Sequence, residues 1–226
     1  MTAMILSAHS GLDGKIAPGA AGPARSLSPS CDEPSPSARW HLKRATDAAH
    51  ERLDTGLSRF ELSDANGYRR FLLVHAVAFP PLERALADGG FDHQCSGWAT
   101  GQRRHALSDD LLGLDIESVA YTEVPAVQGA TAWGVAYVLE GSRLGGKLLA
   151  RRVAAGGNPR AIGNARFLNS PATVPWSRFI ERLDGALASQ DDLAAAAAGA
   201  SMAFATFNAA FEGVAGAESE STEKRS

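Results

Sequence analysis

The stretch that decides the fold is TAWGVAYVLEGSRLGGKLLARRV, residues 131–153. It has the spacing of one long helix, yet it carries Gly134, Gly141, Gly145 and Gly146. Each glycine inside a helix costs about 1 kcal/mol relative to alanine, so we expect this many only where close approach of the backbone compensates. Gly134, Gly141 and Gly145 lie on one helical face. The helix is therefore predicted to present a strip of bare backbone.

Two interpretations of this strip are open. The first is close packing against another helix through small residues. The second is a flat ligand that lies against the bare backbone. The apolar side chains of Tyr137, Val138 and the leucines within 144–149 suit either interpretation. A second feature of the chain has to decide between them.

The composition of the whole chain predicts one soluble domain with tails. The chain has 226 residues and a formal net charge of −3. Its apolar content of 45% is ample for one hydrophobic core. No run of basic residues is longer than a pair, so we predict no nucleic-acid partner. No run of about 18 apolar residues and no secretory signal is evident, so we predict no membrane association and a cytoplasmic location.

The chain divides into three parts by composition. Residues 1–37 are rich in Gly, Ala, Ser and Pro and are predicted to form a disordered arm. Residues 38–215 form the predicted helical domain, and residues 216–226 form a charged tail. Cys31 and Cys95 occur without a CxxC motif, so neither a disulfide framework nor a thiolate metal site is expected.

Apolar residues recur at helical spacing through the central part, and runs typical of strands are absent. The fold is therefore predicted to be all-α. The predicted helices are 38–56 with Ser37 as N-cap, a second helix capped by Ser63 that Pro80 and Pro81 bend or break, short pieces over 102–112 and 116–122, the 131–153 helix, and helices from Pro175 and from Asp191. Residues 155–174 are predicted to form a long loop that closes over a ligand or packs beneath the helices.

Two histidines stand out by their helical positions. His50 lies at the rim of the apolar face of the first helix, and Lys43 lies two turns earlier on almost the same line. This layout suits a flat amphiphile with an electrophilic centre and an anionic edge. His75 lies inside an apolar stripe and is predicted to be a neutral, hydrogen-bonded core residue. The remaining histidines of the central part, His41, His93 and His105, are predicted to be exposed.

Two motifs in order carry a family resemblance. They are LKRATDAAHERLD (42–54) and YVLEGSRLGGKLLARRV (137–153), and the similarity also includes FLNSPATVPWSRFIERLD (167–184). Together they resemble the haem oxygenase family, and more narrowly its bacterial biliverdin-forming members, which often serve bacteriophytochromes. The similarity covers residues 38–215.

The resemblance implies a single-domain helical bundle with haem b in a cleft between the first helix and a glycine-kinked distal helix. His50 matches the ligand of the iron, Lys43 matches a residue near a haem propionate, and Tyr137 adjoins the haem. Gly141 and Gly145 match glycines whose backbone lies over the haem. The remaining implied residues are Gly146 beside these glycines, Ser142 in place of an aspartate of the animal members, and Arg178 and Arg182 as further propionate partners. Gly141, Ser142 and Gly145 are the implied catalytic residues, with a water network delivering protons.

The implied reaction is oxidative cleavage of haem to biliverdin, carbon monoxide and ferrous iron. Haem is then both cofactor and substrate, O2 is the oxidant, and electrons come from a ferredoxin or an NADPH-dependent reductase. A bacteriophytochrome is a candidate recipient of the biliverdin. The alternatives are a non-catalytic haem-binding or sensing protein of the same fold and a helical interaction protein that binds no haem.

Overall fold

The computed structural model describes residues 37–117 and 119–223, and every regular element within these ranges is a helix. The prediction of an all-α fold is confirmed. The helices are α1 (Ala38–Leu57), α2 (Ala65–Asp88), α3 (Phe91–Gln94), α4 (Arg104–Gly113), α5 (Gly129–Ala155), α6 (Pro159–Gly163), α7 (Arg166–Asn169), α8 (Trp176–Ala186) and α9 (Gln190–Glu223), with a 3-10 turn over Ala99–Gly101. The predicted arm lies outside the described residues apart from Ser37.

Helix α9 is the central element of the bundle. Helices α1, α2 and α5 all pack along it. Small residues of α9, among them Ala196, Ala200 and Ala203, are fully buried. A Cβ atom on Gly199 would collide with the carbonyl oxygen of Thr131 in α5. Small side chains therefore let the backbone of α5 approach α9 closely, and α9 becomes a wall shared by α1 and α5.

Helix α1 buries the face predicted from its apolar spacing. Leu42, Leu53 and Leu57 are at most 5% exposed. The buried hydroxyl of Thr46 donates a hydrogen bond of 2.8 Å to the carbonyl of Leu42, so a polar side chain is tolerated there. Ser37 precedes the helix as predicted, although its side chain makes no capping hydrogen bond.

Helix α2 begins one residue later than predicted. The carboxylate of Asp64 caps it by accepting a 2.8 Å hydrogen bond from the backbone N–H of Gly67. The prediction that Ser63 is the cap was wrong, because the Ser63 hydroxyl donates instead to Glu61 at 2.8 Å. Both residue types are good caps, and backbone geometry selects the aspartate.

Pro80 and Pro81 do not end α2, which continues to Asp88. A proline inside a helix costs about 3 kcal/mol because it removes a hydrogen bond and crowds the preceding turn. The segment beyond the prolines buries Leu82 and Leu86 completely. Each such side chain contributes about 1.5–3 kcal/mol on burial, which offsets much of that cost.

The helix predicted over 116–122 is absent from the described residues of that segment, which run outside any helix. Val119 and Thr122 are β-branched and lose rotamer freedom in a helix, and Pro125 follows. The segment instead passes beside α2, where the N–H of Val127 donates to the carbonyl of Ala85 at 3.0 Å. The piece predicted over 102–112 is confirmed as α4.

The long loop predicted over 155–174 contains α6 and α7 and packs beneath α4 and α5. Phe167 and Leu168 are buried. The fully buried carboxylate of Asp110 accepts hydrogen bonds from the backbone N–H groups of Arg166 at 3.0 Å and Phe167 at 2.8 Å. Packing beneath the helices is therefore the alternative that the structure confirms.

Helix α9 runs to Glu223, past the predicted domain boundary at residue 215. Its part from 190 to 217 is long and apolar enough to cross a membrane by length and composition alone. That part also packs along α1, α2 and α5. The central helix of a bundle has the same composition, so this feature is weak evidence for a span.

Candidate functional site

Tyr137 lies in the middle of α5, and charged groups of α1 act on it. Burial raises the pKa of the Tyr137 phenol, Arg39 of α1 lowers it and Asp47 of α1 raises it. The Tyr137 ring lies against Trp176 of α8, with centroids 5.9 Å apart. The side chain is therefore partly covered by α8.

The predicted site residues lie on the same faces as these contacts. Gly141 and Gly145 follow Tyr137 by one and two helical turns, and both are buried. On α1, Lys43 and His50 lie one turn before and after Asp47. By helical position, the two glycines therefore share the side of α5 that carries Tyr137, and Lys43 and His50 share the side of α1 that carries Asp47.

Helices α1 and α5 hardly touch one another, because each packs along α9. The His50 ring lies against Phe204 of α9, with centroids 5.6 Å apart, and Phe204 is buried. An aromatic side chain of the shared wall therefore adjoins the predicted ligand. This is the arrangement expected of a cleft whose two sides are α1 and α5.

The Nε2 atom of the His50 imidazole is the strongest indication of a ligand role for this residue. Its Nε2 is buried and makes no hydrogen bond to any part of the chain that the structure describes. The atom lies 3.3 Å from Oδ2 of Asp54, close enough for an ion pair but not oriented as a hydrogen bond. Buried polar atoms are nearly always hydrogen-bonded. A nitrogen that is buried without such a bond fits a ligand of haem iron.

Lys43 lies on the surface at the start of the same line on α1. Its ammonium group is 5.3 Å from the centroid of the Trp40 ring, and the guanidinium of Arg39 is 5.4 Å from it. The ring is 43% exposed. This end of α1 therefore offers two cations at the solvent edge, where an anionic group of a bound amphiphile would emerge.

The glycines of α5 differ in what the structure shows of their neighbours. A Cβ atom on Gly134 would collide with the Ala196 carbonyl oxygen of α9, and one on Gly146 with the Leu168 carbonyl oxygen of α7. These two glycines serve close packing, which is the first interpretation of the strip. Gly141 and Gly145 are buried, and their contact with a flat ligand stays a prediction.

Ser142 is bound by a residue that the sequence interpretation missed. Its hydroxyl accepts a 2.6 Å hydrogen bond from Nη2 of Arg103 and donates to the Leu139 carbonyl at 2.7 Å. Arg103 is 3% exposed, and its guanidinium lies 4.5 Å from the Phe79 ring centroid and 4.9 Å from that of Phe167. In the sequence it is one of a scattered pair of arginines, so its pattern gave no signal of burial.

Arg103 keeps its charge although it is buried. Burial lowers its pKa to about 9, the nearby Arg143 acts in the same direction, and Glu140 and Glu83 oppose both. A guanidinium with this pKa is protonated at neutral pH. The buried, positively charged guanidinium of Arg103 is therefore hydrogen-bonded to Ser142, the serine found where the resemblance implies an aspartate in animal members.

Arg143 is directed at the loops beside α5. Its Nε donates to Glu140 at 2.7 Å, and its guanidinium also donates to the carbonyls of Gly101 and Pro171. Trp98 donates its indole N–H to the same Glu140 carboxylate at 3.1 Å. This largely buried cluster holds the start of the glycine-rich turns against the segment before α4.

His75 is the core residue that its position predicted. Its Nδ1–H donates to the Phe71 carbonyl at 2.8 Å, and the ring lies among Phe71, Phe167 and Phe207. Burial lowers its pKa to about 4, so the ring is neutral at neutral pH.

Arg178 and Arg182 have their described contacts away from α1. Arg178 is exposed and pairs with Glu181 at 2.6 Å. Arg182 donates to the Cys95 sulfur at 3.4 Å and to the Ser96 carbonyl at 2.9 Å. The structure does not bring either arginine into contact with His50 or Lys43.

A concave region lies away from His50 and the glycines of α5. It is a groove of about 1120 Å³ between α2, residues 119–124 and α9. Its lining is mostly aliphatic and contains no histidine and no glycine of α5. It is therefore separate from the candidate site.

Comparisons with known proteins agree with this geometry. No family model matches the chain. Over 150 residues it is 34% identical to the haem oxygenase of Xanthomonas campestris pv. campestris (strain 8004), covering 64% of this chain and 88% of that protein. The haem oxygenase of Neisseria meningitidis, solved with NO and CO bound, superposes with a TM-score of 0.69 at 25% identity, covering 80% of this chain and 94% of the other. A bundle of the same architecture and a relative matched over most of its length lead to one conclusion: the chain belongs to the haem oxygenase family.

Proposed function

We propose that this haem oxygenase holds its substrate between α1 and α5, with His50 as the ligand of the iron. The observation that carries the proposal is the buried Nε2 of His50, which makes no hydrogen bond within the described chain. The proposal is supported by the helical positions of Tyr137, Gly141 and Gly145, which share one side of α5. The residues present therefore fit haem b, the cofactor and substrate of this family.

When bound, haem supplies the iron at which O2 is reduced and is itself oxidised to biliverdin, carbon monoxide and ferrous iron. The protein supplies binding and orientation. His50 presents an imidazole nitrogen, which must be unprotonated to act as a ligand. Lys43 offers an ammonium group to a carboxylate at the solvent edge, where a point charge suffices to orient the ring.

Helix α5 contributes close contact with the ring of the haem. Gly141 and Gly145 let the backbone approach a flat ring, and this limits which edge of the ring faces α5. Ser142 lies next to Gly141 with its hydroxyl held, and it can accept a hydrogen bond from a water molecule of the cleft. These are the residues to which we assign the reaction. Gly146, Arg178 and Arg182 are not assigned, because their described contacts are elsewhere.

Haem cleavage consumes electrons, so we propose a ferredoxin or an NADPH-dependent reductase as the partner that supplies them. A bacteriophytochrome as recipient of biliverdin is supported by the resemblance of the motifs to bacterial biliverdin-forming members. A cytoplasmic location is supported by Cys95, a buried free thiol of the kind that a reducing compartment preserves.

The replacement His50→Ala tests the site. We expect the purified variant to fold, because the His50 side chain is partly exposed at the rim of α1 and its Nε2 makes no hydrogen bond in the described chain. After addition of hemin, it should lack the iron–imidazole signature in resonance Raman spectra and should form no biliverdin with O2 and ascorbate. Alanine at the exposed His93 should leave both signals unchanged. An unaltered iron–imidazole signal in the His50 variant would refute the assignment.

The wild-type protein tests the activity. With hemin, O2 and a reductant, the Soret band should decay while a far-red bilin absorbance grows. A stable Soret band under these conditions would support the alternative of a haem-binding protein without turnover.

A further inference from the structure

Arg103 and Ser142 form a closed set of hydrogen bonds with the backbone of α5. Nη2 of Arg103 lies 2.6 Å from the Ser142 hydroxyl and 2.6 Å from the Leu139 carbonyl oxygen, and the two oxygens are 2.7 Å apart. A guanidinium has no acceptor, so Ser142 must accept from Arg103. The single proton of the hydroxyl is then directed to Leu139.

This set of bonds fixes what Ser142 offers to the cleft. One lone pair of its oxygen is occupied by Arg103, and its proton is occupied by Leu139. The second lone pair remains. A water molecule beside Ser142 therefore donates one hydrogen to the serine oxygen. The other hydrogen of that water molecule can then point into the cleft.

Arg103 is held rigidly enough to impose this orientation. Its guanidinium packs on the rings of Phe79 and Phe167. Its backbone N–H donates to Oε1 of Glu83 at 2.6 Å, and the backbone N–H of Arg104 donates to Oε2 of the same carboxylate at 2.9 Å. Glu83 thus holds the main chain, while the described hydrogen bonds of the Arg103 side chain go to α5. The guanidinium is not needed to keep Glu83 partnered.

We propose that Arg103 is a positioning residue of haem cleavage, which acts by holding Ser142 of α5 as a hydrogen-bond acceptor. The proposal rests on the proposed function, because it requires Ser142 to face the cleft. It assigns to the buried Arg103 the orientation of a water molecule that donates a hydrogen bond to Ser142. Groups that orient a ligand through another residue change activity by about 10–100-fold in comparable sites.

The first experiment uses the haem-free protein. Hydrogen–deuterium exchange of Arg103→Met should show faster exchange in a peptide spanning residues 139–146 and unchanged exchange in α9. Methionine keeps apolar contact with the two phenylalanine rings and removes both hydrogen bonds to α5. Arg104→Met is the matched control, because the Arg104 side chain lies near Glu83 and not near α5. Equal exchange in the two variants would overturn the proposal.

The second experiment uses the hemin complex. Loss of a nearby cation disfavours the alkaline form, so Arg103→Met should raise the midpoint of the acid–alkaline transition of the ferric complex, by about one pH unit. Single-turnover conversion should slow about tenfold. Lysine at position 103 restores the charge and one donor and should recover part of both effects. In a Ser142→Ala background the Arg103→Met effect on conversion should largely disappear.

The two proposals fail separately. If the wild-type protein does not convert haem, the proposed function is refuted, whatever the hydrogen–deuterium exchange data show. A wild-type protein that converts haem, with an Arg103→Met variant indistinguishable from Arg104→Met, would remove only the role of Arg103. An Arg103→Met effect of the same size with and without Ser142 would also remove it.

Discussion

Two histidines on neighbouring helices show how surroundings set the role of one residue type. His50 and His75 contact aromatic residues one turn apart on α9, Phe204 and Phe207. His75 has a hydrogen-bond acceptor in the Phe71 carbonyl and is enclosed by rings. His50 is at the rim and has a buried nitrogen without a hydrogen bond. The first arrangement serves the core, and the second suits a ligand.

The buried imidazole of His75 predicts a specific pH dependence of stability. Its pKa is about 4 in the folded protein and 6.5 in the unfolded chain. Between these values the unfolded chain binds more protons, so stability is present above pH 6.5 and is lost as the pH falls toward 4. Urea unfolding of the haem-free protein should show a loss of about 2 kcal/mol from this group between pH 7 and pH 5. His75→Gln should lose correspondingly less over that range, and equal losses would contradict the assignment.

At this scale the sequence predicts residues whose helical position is informative. The wheel places His50 at a rim and His75 in a core, and the structure shows both. It cannot predict Arg103, because burial of this arginine depends on Phe79 and Glu83 of α2 and Phe167 of α7, two helices that only folding brings together. Local backbone geometry decides between Ser63 and Asp64 as a cap, and composition does not reveal it.

At the scale of elements, the glycines of α5 have two roles: Gly134 allows close packing against α9, and Gly141 and Gly145 are proposed to lie against the ligand. Gly134→Ala should destabilise the protein by about 2 kcal/mol or more, because the added Cβ meets the carbonyl oxygen of Ala196 and forces α5 away from α9. Gly213→Ala is the control: that glycine lies inside α9 with open space around it, so the change should stabilise by up to about 1 kcal/mol. Thermal or urea unfolding of the two variants measures both. Equal effects would contradict close packing at Gly134.

The boundaries of elements are less predictable than their existence. The helices that carry the site, α1 and α5, follow from periodic spacing and are confirmed. The continuation of α2 through Pro80 and Pro81 is not evident locally, because tertiary burial of Leu82 and Leu86 compensates for the prolines. Residues 116–122 show the converse, since a backbone contact with α2 from Val127 favours an extended path.

At the scale of the whole molecule, Asp110 joins the loop side of the bundle to its helices. Asp110→Asn should lower the free energy of unfolding by about 2 kcal/mol, because only one carboxyl oxygen is then left to accept from the backbone of Arg166 and Phe167. Burial raises the pKa of Asp110, and the two N–H bonds oppose this shift. Asp109→Asn, at an exposed neighbour, should change stability by less than about 0.5 kcal/mol. Urea unfolding at pH 7 distinguishes these results, and matching values would refute the link.

Helix α9 forms a wall that α1 and α5 share. Both helices pack along it and make few contacts with each other, which is compatible with the cleft that we propose between them. The sequence predicts a cleft between these helices from its motifs. It does not predict that α9 supports both sides, since that depends on which small residues of a long alanine-rich helix meet which neighbour.

The close contact at Gly134 limits how the protein can evolve. The atom that an added methyl group would meet is a peptide oxygen, which residue 196 carries whatever its side chain is. No second-site suppressor at position 196 can therefore make room. At Gly56 the obstacle is the ring of Phe211, a side chain that mutation can shrink. Gly56 can therefore be substituted if Phe211 is replaced by a smaller residue, whereas no substitution at residue 196 makes a side chain acceptable at position 134.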